Sequence, residues 1–349
     1  MSKAQETSKR KANSAIFISS RIRLARNLAK CKFVNTCTPN ELTDILGACK
    51  SAIANSKKFA DGEFFSIGEM TDFERKRLSE SGVASRELIE CGDGRGVYVS
   101  ADKSCAIMIN EEDHLRIQAF QKGLNLSLAW RSANAIDDNI EKHIPFAFDS
   151  TYGYLTACPT NVGTGLRASV MMHLPALVYS DLMDKIARGL AQLGFAVRGA
   201  HGEGSESRGA IFQISNQQTL GFQEQDIIKK ITKYARKIAE FEINARIKLS
   251  EEKQLLLDDK YNRSLSILKS CKLIDSSEAV EHLSNLRLRA DMVNNASSAD
   301  FIATIDEMIA EIQPARLQLR FNSYDSDAFT RDALRAKLLN AFASKTPKF

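Results

Sequence analysis

Glycine is absent from everything after Gly221, and that stretch holds only two prolines, Pro314 and Pro347. With so few breakers it is expected to be mainly helical. No run of about eighteen apolar residues occurs, so no membrane-spanning helix is expected. The polar, basic segment 1–14 has no apolar centre for a secretory signal. The seven cysteines, at 31, 37, 49, 91, 105, 158 and 271, form no CxxC pair and are odd in number. That argues against a zinc ribbon and a disulfide framework, and for reduced thiols in a cytoplasmic protein. Charge of one sign is scarcely in excess. The 48 Lys and Arg against 43 Asp and Glu leave +5, which suits nucleotide phosphates without demanding nucleic acid. Walker A is missing, and neither Gly92–Gly96 nor Gly202–Gly204 completes GxGxxG, which excludes ordinary P-loop and Ser/Thr-kinase chemistry. Repeats and low-complexity tracts are absent too.

What is present is 349 residues with 44% hydrophobic and 26% charged, enough for about two globular domains. Before Gly221, the runs 96–100, 105–110, 152–157 and 210–215 look strand-like between Gly or Asp clusters. They do not alternate regularly with helical segments, so an α+β fold is expected, a mostly antiparallel sheet flanked by helices and followed by an all-helical C-terminal domain. From Ile227, the residues Ile231, Tyr234, Ile238, Phe241, Ala245 and Leu249 recur every three or four positions, the pattern of one buried stripe on a long helix. Asp258–Asn262 reads as a polar break, giving domains at 15–252 and 258–349.

Four polar clusters stand out. In Ser19-Ser-Arg-Ile-Arg23, residues two apart on a strand share a face, so Arg21 and Arg23 form a paired anion grip; taken alone, the segment also fits a solvated edge strand. Glu111-Glu-Asp-His-Leu-Arg116 crowds three carboxylates at a strand end, which fits either a solvated turn or a site for a metal or cationic substrate. Thr156 to Arg167 is a loop shaped by Pro159, Gly163 and Gly165 that delivers Cys158 and Arg167, although a lone cysteine is ordinarily core. Arg198 to Glu206 is a glycine-rich loop with an isolated carboxylate, Glu203, equally compatible with a mobile surface loop.

Taken together, SSRIRLARN, INEEDHLRIQ, GYLTACPTNVGTGLRASV and RGAHGEGSE resemble, in order, the motifs of the ATP:guanido phosphotransferases across about residues 15 to 250. The resemblance implies MgATP as phosphoryl donor and a guanidinium as acceptor. Glu112 and Glu203 match the family's substrate carboxylates, Glu111 and Asp113 match groups that support magnesium and its waters, and Cys158 matches the thiolate lying against the reactive guanidinium. It also places ATP against Ser19, Ser20, Arg21, Ile22 and Arg23, against Arg116, against Arg167, Ala168, Ser169, Val170 and Met171, and against Arg198, Gly199, Ala200, His201, Gly202 and Glu203. No direct protein ligand to Mg²⁺ is implied, since the metal rides on the phosphates. Small-guanidino kinases carry histidine at Met171 and arginine at His201, and the protein-arginine branch commonly carries histidine near Gly82, so the adenine contacts stay open.

In the small-guanidino kinases a helical domain precedes the first motif, whereas here 18 residues precede Ser19. This leaves a more open site, suited to arginine within a polypeptide. Arg331-Asp-Ala-Leu-Arg-Ala336 resembles the RDxxRA motif of the protein-arginine branch, so Arg331, Asp332, Arg335 and Ala336 are expected to bind phosphoarginine and regulate activity. Thr330 is expected to cap that helix, with Leu334 and Leu338 facing inward. The resemblance further implies protein substrates, a zinc-finger activator, a Clp-type protease that takes the marked proteins under stress, and a homodimer. A small-molecule phosphagen kinase and a catalytically inactive adaptor of the same fold are the alternatives.

Overall fold

Alternation in FISSRIRLAR makes the first strand. In the computed structural model, which describes residues 15–199, 207–293, 295 and 297–347, β1 (Phe17–Arg26) buries Ser20, Ile22 and Leu24 on one side and turns Ser19, Arg21 and Arg23 to the other. It leads to α1 (Pro39–Ala54), β2 (Glu63–Ser66), α2 (Asp72–Glu80), α3 (Arg86–Ile89), β3 (Gly96–Val99), β4 (Cys105–Ile109) and β5 (Leu115–Lys122). Next come α4 (Leu126–Glu141), the hairpin strands β6 (Phe148–Asp149) and β7 (Gly153–Tyr154), β8 (Leu166–His173), α5 (Pro175–Tyr179), α6 (Met183–Gln192), β9 (Phe195–Gly199) and β10 (Ile211–Asn216). Eight strands join in the order β2-β3-β4-β5-β1-β8-β10-β9, and every pairing is antiparallel, as the α+β expectation requires. The strand expected over 152–157 is reduced to Gly153–Tyr154; the rest is loop.

One face of the sheet carries the core. Ile22, Leu24, Ile117 and Val170 meet Ile45 and Ile53 of α1 and Ala133 and Ile136 of α4. Fully burying each such aliphatic side chain stabilises the fold by about 1.5–3 kcal/mol. On the other face, α2 and α3 set Leu78, Val83 and Leu88 over Ala106 and Met108. For that reason β4 is buried along its whole length rather than alternating.

The second part is helical: α7 (Glu224–Glu252), α8 (Gln254–Ser270), α9 (Ser276–Val293), α10 (Ser298–Glu311), α11 (Pro314–Arg320) and α12 (Ala328–Ala343). The stripe on α7 holds at Ile231, Ile238, Ala245 and Leu249, but Phe241 is 43% exposed and its place is taken by Glu242 and Arg246. Glu242 accepts from the backbone N–H groups of Ala176 (3.1 Å) and Leu177 (3.0 Å), the unpaired donors at the start of α5. Arg246 bonds Glu242 at 2.7 Å and also Asp291 of α9. The polar break expected at Asp258–Asn262 does not exist. The chain turns instead at Lys253, and Asp258–Asn262 is the middle of α8, whose Leu257, Tyr261, Ser264 and Leu268 are buried while the charged positions line its outer face. No described helix is long and apolar enough to cross a membrane.

His173 joins the sheet to this helical part. Arg287 donates to its Nδ1 (3.1 Å), so Nε2 carries the proton and donates to Ser284 Oγ (2.7 Å). Burial, reinforced by Arg287 and Arg246, holds the imidazole well below its ordinary value of 6.5. A histidine neutral when folded but titrating when unfolded contributes stability that is present above the unfolded pKa and lost as pH falls below it. We expect stability to drop by about 1.4 kcal/mol per pH unit below pH 6.5 from His173. Denaturant melts of wild type and His173→Gln from pH 7 to pH 5 measure this; parallel slopes in the two proteins would remove His173 as the cause.

Candidate active site

Strand register gathers the arginines. Across β1 and β8, Arg23 lies opposite Arg167 and Arg21 opposite Ser169, and across β1 and β5, Ala25 lies opposite Arg116. Arg198 of β9 sits opposite Gln213 of β10. All of these residues lie on the face away from the main core. Ser20, Ile22, Ala168 and Val170 alternate into the core, so of the segments expected against ATP, Ser19, Arg21, Arg23, Arg167, Ser169 and Met171 turn their side chains to the arginine face. Gly199 ends β9. Ala200, His201, Gly202 and Glu203 lie outside the described residues.

The cations are poorly neutralised. Arg21 donates to Gln213 Oε1 (3.2 Å) and Arg167 to Ser215 Oγ (3.2 Å), neutral acceptors both. Arg167 Nε is buried with no acceptor among the described residues. Burial, then Arg167 and Arg116, lowers Arg21 from the ordinary guanidinium range to about 10. Burial and Arg21, Arg116 and Arg167 push Arg23 well down, opposed by Glu111. Burial with Arg198 and Arg116 lowers Arg167. These groups remain cationic at neutral pH, and an anion with several acceptor oxygens relieves their repulsion.

The carboxylates divide by burial. Asn110, in the left-handed region at φ 58°, turns the chain after β4 and donates to Leu42 O (2.8 Å) and Gly94 O (2.7 Å). Arg116 then forks between Glu111 Oε1 (2.8 Å) and Glu112 Oε2 (2.9 Å). Glu111 also accepts from Ser85 Oγ (2.6 Å), and its side chain is 4% exposed, whereas that of Glu112 is 42% exposed. Asp113, expected beside magnesium, is fully buried. It accepts from Asn27 Nδ2 (2.6 Å) and Ala157 N (2.7 Å), tying the strand-end turn to the loop before Cys158, and burial raises its pKa. In this arrangement Asp113 positions the loop and does not face the cleft.

That loop is held from its far side by Arg26, which pairs with Asp137 at 2.8 Å, donates to Thr164 O (3.0 Å) and stacks on Tyr154 at 3.5 Å. Gly163 (φ 111°) and Gly165 (φ 61°) let the backbone pass Leu220 and Ala25 where a Cβ would come within 2.7 Å and 2.6 Å of them. Cys158 Sγ lies 3.0 Å from Thr160 Oγ1. Arg23, Glu112, Arg116, Cys158, Asn161 and Arg167 line one cavity of about 180 Å³. Asn161, Gln213, Ser215 and Ser85 were not foreseen. Gln213 and Ser215 were legible by the same two-residue strand rule that pairs Arg21 with Arg23; nothing local marks Ser85.

The RDALRA segment departs from expectation. The cap is Asp327, which accepts from Thr330 N (2.7 Å), not Thr330 itself. Arg335 is 2% exposed and Ala336 is 1% exposed, both facing inward with Leu338 and Leu339. Arg335 donates to Ile312 O (3.0 Å) at the end of α10, to Ile274 O (2.9 Å) and to Asp332 (2.5 Å). The Ile312 carbonyl caps the C-terminal end of α10, where carbonyls lack intrahelical donors and attract a cation, and this draws Arg335 inward. Arg331 is half-buried and donates to Ser326 O (2.5 Å).

An antiparallel sheet whose one face converges arginines on an exposed carboxylate and a thiol defines a phosphotransferase-type anion site. Comparison with known proteins narrows the class. The model of the ATP:guanido phosphotransferase C-terminal catalytic domain matches residues 44–245, and that of the protein-arginine kinase McsB C-terminal domain matches residues 254–348. The protein-arginine kinase of Symbiobacterium thermophilum is 41% identical over 93% of this chain and 92% of its own, and that of Geobacillus stearothermophilus 42% over 88% and 84%. Among solved structures, the substrate-free duplicated taurocyamine kinase from Schistosoma mansoni superposes with a TM-score of 0.58 at 28% identity, over 67% of this chain and 34% of that one. A lombricine kinase gives 0.58 at 26%, over 66% of each. The chain belongs to the ATP:guanido phosphotransferase family, within its protein-arginine kinase branch.

Two outcomes follow from the geometry. Arg21→Gln removes a cation from a repelling cluster, so the nucleotide-free protein gains about 1 kcal/mol while ATP affinity falls; a melt showing lost stability would contradict the repulsion. Arg335→Ala leaves Asp332 and two carbonyls without their donor and costs about 3 kcal/mol. An unchanged melting temperature there would show that the guanidinium is not structural.

Proposed function

We propose that the chain transfers the γ-phosphoryl group of MgATP to the guanidinium of arginine side chains in proteins. The convergence of Cys158, Glu112, Arg23, Arg116 and Arg167 on one cavity carries this conclusion, and the protein-arginine kinases that match over nearly the whole chain support the polypeptide substrate. A guanidinium has a pKa above about 12 and becomes a nucleophile only when a proton leaves. Glu112 uses Oε2 for Arg116 and Asn161, so Oε1 is the oxygen to accept the substrate N–H and take its proton. The N–P bond forms as the bond from the γ-phosphorus to the β,γ-bridging oxygen breaks, and ADP leaves. Glu203 supplies the second carboxylate. Arg21, Arg23, Arg116, Arg167 and Arg198 hold the phosphate oxygens and neutralise the charge that shifts during transfer. The substrate guanidinium would lie against Cys158 Sγ, as the family resemblance implies.

The family resemblance supplies magnesium as a companion of the nucleotide, with no direct protein ligand. Among the described residues no cluster of three His, Cys, Asp or Glu side chains could cage a metal, and Glu111 is taken up by Arg116 and Ser85. Bound to the triphosphate, Mg²⁺ would withdraw electron density from the transferring phosphoryl group, and the family resemblance assigns Glu111 to support its waters. At the RDALRA segment, phosphoarginine would meet Arg331 and Asp332, with Arg335 shaping the floor beneath. The family resemblance alone supports a cytoplasmic stress role, a zinc-finger activator, transfer of marked proteins to a Clp-type protease, a homodimer, and domains at 15–252 and 258–349.

Incubation with MgATP and either free arginine or an unfolded protein, followed by detection of acid-labile phosphate, tests the function. Phosphate confined to the free amino acid would make it a small-molecule kinase, and none on either would make it an inactive adaptor. Glu112→Gln should lower turnover by about a hundredfold or more with ATP binding kept, and Cys158→Ser should lower it strongly. Wild-type turnover in correctly folded Glu112→Gln would end the assignment.

A further inference from the structure

The segment from Ala147 to Gly165 has two working sides. One supplies Cys158, Thr160, Asn161 and Gly165 to the phosphoryl-transfer cavity. The other supplies Tyr152, Tyr154, Gly163 and Thr164 to an open groove of about 620 Å³, closed by α4 and the start of α7. Thr164 walls the groove and its neighbour Gly165 walls the cavity. Adjacent Cα atoms are about 3.8 Å apart, so the two recesses adjoin and one extended peptide can lie against both.

The groove is acidic and edged with bare rings. Asp137, Asp138 and Glu224 line it, and Arg26 is the one cation among its described lining residues. Arg26 is already committed to Asp137, Thr164 and, at 3.6 Å, Glu224, which also accepts from Trp130 Nε1 (2.6 Å), so Asp138 is the exposed carboxylate of the groove. Asp137 is 3% exposed, yet its Oδ1 accepts no hydrogen bond among the described residues, so the negative charge on that wall is incompletely matched. Around it Phe148 is 60% exposed, Tyr152 56% and Phe222 41%. Aromatic faces beside carboxylates suit a cation on an apolar stem, the chemistry of a lysine or arginine side chain. Arg26 over Tyr154 at 3.5 Å shows one such contact built into the same wall.

We propose that this groove docks the substrate polypeptide beside its target arginine, taking a second basic side chain between the rings of Phe148 and Tyr152 and the carboxylate of Asp138. This rests on the polypeptide substrate assigned above. It makes a basic residue a few positions from the target arginine a determinant of affinity, while the reacting guanidinium is handled by the other side of the same segment.

Two fluorescent peptides test it on the full chain, alike except that one carries arginine and the other glutamine four residues from the target. Fluorescence anisotropy without nucleotide should show about tenfold tighter binding of the basic peptide. Asp138→Asn combined with Tyr152→Ala changes two surface side chains, and it should abolish that preference while leaving ATP affinity unchanged. Equal binding of the two peptides to wild type, or an undiminished preference in the double variant, would overturn the groove whether or not phosphoryl transfer occurs. A clear preference lost in the variant, with no phosphate found on arginine, would keep the groove and remove the proposed function.

Discussion

Guanidinium groups brought together on neighbouring strands repel one another, and the rest of this structure supplies what holds them in place. Two unit charges about 8 Å apart at an effective dielectric of about 20 repel by about 2 kcal/mol. Arg21, Arg23 and Arg167 together therefore work against the fold, whereas Arg116 is paired with Glu111 and Glu112. The opposing force comes from the reverse face of the same strands, where Ile22, Leu24, Ile117 and Val170 are completely buried, each contributing about 1.5–3 kcal/mol. The core under the arginines is thus what keeps an anion site assembled while no anion is bound.

Placement of the chemistry on that face depends on polar pins. Asp113 joins the turn after β4 to Ala157, and Arg26 with Asp137 joins the end of β1 to α4 and to Thr164. Between them these pins fix both ends of the loop that carries Cys158, so the thiol is set by contacts far from it in sequence. Partnered charges buried at this depth are costly to break, because removing either member strands the other. A similar device joins the sheet to the helices: Arg287 is 1% exposed and links His173 to Asp306 of α10 (2.8 Å). Glu242 and Arg246 do the same between α7, α5 and α9.

Much of the architecture was legible in residue order. The pair Arg21 and Arg23 shares a face because strands have a period of two. The loss of glycine after Gly221 marks the helical part, and the four motifs locate the site and its family. Two of the departures, at α8 and on the α7 stripe, share one cause, which is that polar character reads as exposure and apolar character as burial. Asp258–Asn262 was taken for a break and Phe241 for a buried position, yet a helix can carry its charged residues outward along α8 and bury Glu242 and Arg246 in α7 where partners await them.

Sequence alone determined the strand and helix periods, the absence of a nucleotide loop of the common kinds, and the motif residues from which the family follows, since all of these are properties of neighbours along the chain. Tertiary structure decided depth and partnership. It set Glu112 at the cleft and sank Asp113, brought Gln213 and Ser215 to the arginines, and turned Arg335 inward to the carbonyls of Ile312 and Ile274. Burial and pairing of a charge depend on groups distant in sequence, such as Asn27 for Asp113 at 2.6 Å, and only the folded chain brings those within hydrogen-bond reach.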